Sequence, residues 1–165
     1  MRSALLKRIV GFVGSLGCSM ALAQAPAAPV PGPFTQHTAA EIAEHVRTLT
    51  EQANRSQAGI STETWERFGD HFAMLAVRVR SGGGEVHLHS GDYFFVLQGH
   101  ATEVVGGSLE DGKESQAGEL RGTAVKDGTP HEMKAGDFIH IAAGMPHQTL
   151  ITEGPFAYLV VKAAE

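Results

Sequence analysis

From residue 60 to its end, the chain places apolar residues at every second position in short runs separated by turn residues. His71–Arg80 shows the pattern. His71, Ala73, Leu75, Val77 and Val79 fall on one side of an extended chain, and Phe72, Met74, Ala76, Arg78 and Arg80 on the other, because successive side chains of a strand face opposite ways. The same reading predicts strands over Ile60–Arg67, Glu85–His89, Tyr93–Leu97, Ala101–Val105, Leu120–Val125, His131–Lys134, Phe138–Ile141, His147–Thr152 and Phe156–Lys162. Turn signals lie between them at Ser81–Gly84, Gly106-Gly107, Asp111-Gly112, Asp127-Gly128 and Glu153–Pro155, where glycine and asparagine-like residues supply turn geometry. About ten short strands without intervening helices predict an all-β sandwich, jelly roll or barrel. The polar stretch Gly107–Gly118 reads as an exposed hairpin excursion.

Before residue 60 the period changes. Thr38 followed by Glu41 fits a capping box, and Ile42, Val46, Leu49 and Ala53 recur at helical spacing. One amphipathic helix is therefore expected over residues 38–57, ended by Asn54 and Gly59 and packed on the outside of the main domain. Residues 24–37 begin QAPAAPVPGPF, an Ala/Pro-rich linker composition. Residues 1–23 carry Arg2, Lys7 and Arg8, then an uncharged, mostly apolar run ending Ala21-Leu22-Ala23. That is a secretory signal peptide pattern. Lipidation at Cys18 is the weaker alternative, since Ser15 stands where a leucine is expected. The expected organisation is a signal peptide over 1–23, a linker over 24–37, a helix over 38–57 and a barrel domain over 58–165, in a periplasmic or secreted protein.

Composition narrows the chemistry. The formal net charge is −5, and loss of the leader removes three basic residues and no acidic one. Such a chain has no reason to seek nucleic acid or anionic lipid, and no stable membrane insertion is expected after signal removal. The single cysteine, Cys18, lies inside the leader, so the remaining chain has no disulfide, thiolate metal site or cysteine nucleophile. It has nine histidines, and two of them dominate the stretch Gly82–Gly99, GGGEVHLHSGDYFFVLQG. His87 and His89 share a strand face, and a two-residue Ser90-Gly91 hairpin turn would set Asp92 opposite His89. Two imidazoles and a carboxylate on one face are a metal-site arrangement.

A second stretch, Gly136–Thr149 (GDFIHIAAGMPHQT), adds His147 after two tight turns. Together the two stretches resemble the motifs of the cupin superfamily, roughly G-x5-H-x-H-x3/4-E-x6-G and G-x5-P-x-G-x2-H-x3-N. His87 and His89 stand at the two histidine positions, Asp92 at the glutamate, and Gly99 closes the first motif. Gly136, Gly144 and His147 match the second. The chain departs from the pattern in having Asp for Glu, a gap of two residues after His89, Ala142 for proline and Ile151 for asparagine.

The resemblance implies a double-stranded β-helix (jelly-roll) barrel holding one divalent transition metal, with Fe, Mn, Zn, Ni and Cu all compatible with His87, His89, Asp92 and His147 as ligands. Phe94 and Val96 share the site face and, with Thr149 and His140, are expected as cavity wall; Asp92 or His140 would be the candidate general base. The implied function is binding or transforming a small molecule as a dioxygenase, isomerase or lyase. The alternative is a non-catalytic ligand-binding or sensing protein, metal-containing or metal-free. A homodimer through exposed strand edges is also expected.

Overall fold

A computed structural model describes residues 34–165. The expected signal peptide, with Cys18, and most of the expected linker lie outside the described residues. Helix α1 runs from Ala39 to Arg55. Thr38 caps it as the sequence implies: its Oγ1 accepts from the Glu41 backbone N–H at 3.3 Å, and the Glu41 carboxylate accepts from the Thr38 N–H at 2.8 Å. Val46, Leu49 and Ala53 are its buried face.

Eleven strands follow: β1 (Ile60–Arg67), β2 (His71–Arg78), β3 (Gly84–His87), β4 (Ser90–Val105), β5 (Ser108–Glu110), β6 (Lys113–Gln116), β7 (Glu119–Gly122), β8 (Ala124–Lys126), β9 (Thr129–Lys134), β10 (Phe138–Ile141) and β11 (His147–Ala164). Two pairs of expected strands are each one long strand. Tyr93–Leu97 and Ala101–Val105 merge in β4 through Gly99, which has φ +83° and packs so close to Pro155 that a Cβ would collide with its carbonyl. The last two expected strands merge in β11. These two long strands pair antiparallel from Ser90↔Ala164 to Val105↔His147, with irregularities around Glu153. β10 pairs with the first half of β4 and β9 with the second, while β1, β2, β11, β3, β7 and β6 follow one another across the sheet. The residues 107–118 hold β5 and β6, paired with β8 and β7 respectively. The curled antiparallel sheet with one helix is the expected double-stranded β-helix barrel.

Alternation decides what each face buries. Ala76, Phe94, Val96, Ala101, Met133, Phe156 and Tyr158 meet inside the barrel. The opposite parity of β2, Leu75 and Val77, joins Ala157 and the helix residues Val46 and Leu49 in a second cluster. The helix thus packs on the sheet, as its single apolar stripe requires. Tyr93, Phe95 and Leu97 point outward, and Phe95 and Leu97 are exposed.

Leu75 is fully buried between helix and sheet. Leu75→Ala should cost about 2–5 kcal/mol, read as a lower urea midpoint with an unchanged slope.

Candidate metal centre

Glu85 and His87 lie on one face of β3, two residues apart. β11 begins beside them, with His147 directly opposite Glu85. The turn before His147 is tied down, since the Gly144 N–H donates to the His87 carbonyl at 2.7 Å, and Gly144 adopts φ +77°. Asp92 enters from β4. Ligand atoms of Glu85, His87 and His147 all lie within 4.8 Å of one another. The Asp92 Oδ2 is 3.4 Å from His87 Nε2 and 3.8 Å from His147 Nε2. His87, Asp92 and His147 are each 3 % exposed, so this is an interior cluster.

Hydrogen bonds fix both imidazole tautomers. His87 Nδ1 bonds Glu119 Oε2 at 2.6 Å, and His147 Nδ1 bonds the Met145 carbonyl at 3.0 Å. A carbonyl or a carboxylate can only accept, so each Nδ1 carries a proton, and in the neutral ring each Nε2 presents a lone pair. His87 Nε2 is buried and makes no hydrogen bond among the described residues; an orphaned buried polar atom is costly unless something binds it. Burial lowers the His147 pKa, and the Met145 carbonyl and nearby carboxylates only partly offset it, which keeps the ring neutral as a metal ligand must be. Two neutral imidazoles and two carboxylates are a donor set that suits a divalent first-row ion. The Glu119–His87 pair is the outer partner that ligating histidines usually have.

Three cations surround the carboxylates. Lys162 stands opposite Asp92 in the β4–β11 ladder and donates to Oδ1 at 2.5 Å. Arg78 donates to Glu85 Oε1 at 3.2 Å and Arg121 to Oε2 at 2.5 Å. Burial alone would raise both carboxyl pKa values. The Lys162 ammonium helps hold Asp92 below its ordinary value, and Arg121 and Arg78 do the same for Glu85. The cluster opens on a cavity of about 270 Å³ that Phe94, Thr149, Tyr158 and Val160 also line.

The sequence-based grouping differs from this in one ligand. β3 stops at His87, the Leu88 N–H donates to the Gly118 carbonyl at 2.8 Å, and His89 is exposed. His89 instead borders a surface depression with Arg67, Phe68 and His71. The expected Ser90-Gly91 hairpin does not form, because Ser90–Asp92 pairs with Lys162–Ala164 of β11 and β3 pairs with β11 and β7. Glu85 occupies the place given to His89. The signal was in the spacing: His87-x4-Asp92-x6-Gly99 restores the gaps of the first cupin motif, with Glu85-x-His87 in place of its His-x-His.

Phe94 and Thr149 do line the cavity. Val96 is buried in the core cluster instead. The His140 ring is 4.4 Å from Tyr93 in a stack, and its Nε2 bonds Glu165 Oε1 at 2.9 Å. It therefore belongs to the outer face, away from the cavity lined by Asp92 and His147.

Sequence reasoning also passed over Glu103, whose only signal was its inward parity with Ala101. It is fully buried, accepts from Thr149 Oγ1 at 2.8 Å through Oε2, and leaves Oε1 without a partner among the described residues. Burial pushes its carboxyl up to about 8.

No protein-family model and no curated protein matches the sequence. Solved structures are similar in fold. KdgF from a Halomonas species is 14% identical, with 66% of this chain and 83% of that chain covered and a TM-score of 0.49. An uncharacterised double-stranded β-helix protein from Klebsiella pneumoniae is 20% identical, covering 66% and 79% with a TM-score of 0.48. The Cnp3 cupin domain of Schizosaccharomyces pombe is 11% identical, covering 64% and 61% with a TM-score of 0.49.

Glu103 gives a pH dependence of defined sign. Its folded pKa of about 8 lies above the ordinary 4.5, so the native state holds the extra proton across that window. Its contribution is therefore fully present below 4.5 and lost as pH rises through about 8. Stability of the wild type relative to Glu103→Gln should fall by on the order of a few kcal/mol between pH 5 and 8, measured by urea titration at each pH.

Proposed function

We propose that this protein is exported and holds one divalent transition metal through Glu85, His87, Asp92 and His147, and that it binds and transforms a small organic molecule in the adjoining cavity. The observation that carries the reading is the pair of buried imidazoles with both Nδ1 atoms committed outward, one of which leaves its Nε2 wholly unpartnered among carboxylates. A bound ion would supply Lewis-acid polarisation or, for a redox-active metal, an oxygen-activating centre. Export rests on the leader pattern of residues 1–23.

The chain's own residues supply the rest. Phe94, Met74 and Val160 form an apolar wall that excludes water from one side of a bound molecule. The Arg78 Nε–H donates to the Tyr158 hydroxyl at 3.2 Å. The phenol oxygen therefore already accepts, and its own O–H is free to point at a molecule in the cavity. Burial raises the Tyr158 pKa, although Arg78 opposes it, so the phenol remains a proton donor at neutral pH. Glu119 orients the His87 ring and Met145 that of His147.

Elemental analysis of the purified protein should find about one metal per chain, and chelation should lower its melting temperature. His87→Ala and His147→Ala should lose the metal, whereas His89→Ala should keep it. Glu119→Gln should weaken metal affinity roughly 10- to 100-fold. A protein without stoichiometric metal whose melting is indifferent to chelators would instead be a metal-free ligand-binding protein.

A further inference from the structure

The charge of the cavity carries a conclusion about its ligand. Arg78 from β2, Arg121 from β7 and Lys162 from β11 converge on the same space. The Arg78 and Lys162 side chains are only 10 % and 14 % exposed, where solvent screens them little. Three carboxylates answer them: Glu85 between the two arginines, Asp92 on Lys162, and Glu119 on Arg121 Nη2 at 3.1 Å. Three positive groups against three negative ones balance. Both histidines count as neutral rings once an ion is bound, because a ligating imidazole nitrogen carries no proton.

A divalent ion held by Glu85, His87, Asp92 and His147 adds two positive charges to a balanced interior. The same carboxylates must then serve both the ion and the cations. Glu103 cannot restore the balance alone, since even fully ionised it removes one charge, and burial keeps it protonated at neutral pH. Uncompensated charge in a low-dielectric interior is expensive, and an anionic ligand removes it. The remaining lining narrows that anion further. Ile60, Met74, Phe94 and Val160 present apolar surface in a space of about 270 Å³, which calls for a small organic body rather than an inorganic oxyanion. Arg guanidinium forks match the two oxygens of a carboxylate. Gly82 makes room for one of them, because a Cβ there would collide with Nη1 of Arg78.

We propose that the metal-loaded cavity takes a small carboxylic acid in its anionic form, held by Arg78, Arg121 and Lys162 with its carbon skeleton against Phe94 and Met74. The inference rests on the metal reading above.

The test is calorimetric titration of zinc-loaded protein, its one-to-one metal content first verified by elemental analysis, with acetate, butyrate, succinate and benzoate, and with butyramide and inorganic phosphate as comparators. At least one carboxylate should bind ten-fold or more tightly than butyramide and than phosphate. That preference should fall at least ten-fold in the chelator-stripped protein. Lys162→Gln and the more exposed Arg121→Gln should each retain zinc and weaken the carboxylate at least ten-fold. Zinc-loaded protein that binds no carboxylate, binds the amide equally, or prefers phosphate would overturn the substrate class and leave the metal site standing. Failure to load zinc or any other first-row divalent ion would overturn the metal reading, and this inference with it.

Discussion

The antiparallel ladder between β4 and β11 is the constraint on which the rest depends. It runs from Ser90↔Ala164 to Val105↔His147 and so fixes, across one continuous pair of strands, most of the interior chemistry. Asp92 faces Lys162, Phe94 faces Val160, and Glu103 faces Thr149 by register. The pairing also outcompetes a local hairpin at Ser90-Gly91, because β4 from Asp92 onward has β11 on one edge and β10 on the other, and β3 lies between β11 and β7. A long non-local ladder satisfies many more backbone groups than one tight turn. Where the two strands bend, Gly99 is required by its positive φ and its contact with the Pro155 carbonyl.

The polar interior that this ladder creates is held together by mutual neutralisation. Buried carboxylates and buried cations are each costly alone, and acceptable here because nearly every one has a named partner. Glu85 and Asp92 are held below their ordinary values against the pull of burial, Glu85 with the help of Arg121 and Arg78 and Asp92 with that of Lys162. Glu103 shows the opposite outcome, with one hydroxyl donor and no adjacent cation in hydrogen-bond contact, and burial prevails. Among the described residues, His87 Nε2 is buried in the cluster without a hydrogen-bond partner. Glu119 and Met145 commit both Nδ1 atoms, so the Nε2 atoms of His87 and His147 face the Asp92 carboxylate.

The fold was legible in the chain because its signals are local and redundant. Alternation in His71–Arg80 separates Ala76 in the barrel from Leu75 and Val77 under the helix, and the Thr38–Glu41 box marks the helix start to the residue. Strand parity likewise placed Phe94 inward and Tyr93, Phe95 and Leu97 outward. Strand ends were less legible, since the merging of two pairs of runs into β4 and β11 depends on partners far away in sequence.

Of the site, the chain by itself determined the residue types, the inward parity of Asp92 and the approach of His147 after the Gly144 turn. It also held the spacing His87-x4-Asp92-x6-Gly99, which admits Glu85-x-His87 beside His87-x-His89. Only the tertiary structure decided between those two, because the choice depends on where β3 stops. It stops at His87, where the backbone of Leu88 turns to bond Gly118 and β4 leaves to pair with β11. The cations Arg78, Arg121 and Lys162 were likewise invisible as a group. They come from three strands separated by most of the domain, and no local rule brings together residues whose meeting is set by sheet closure.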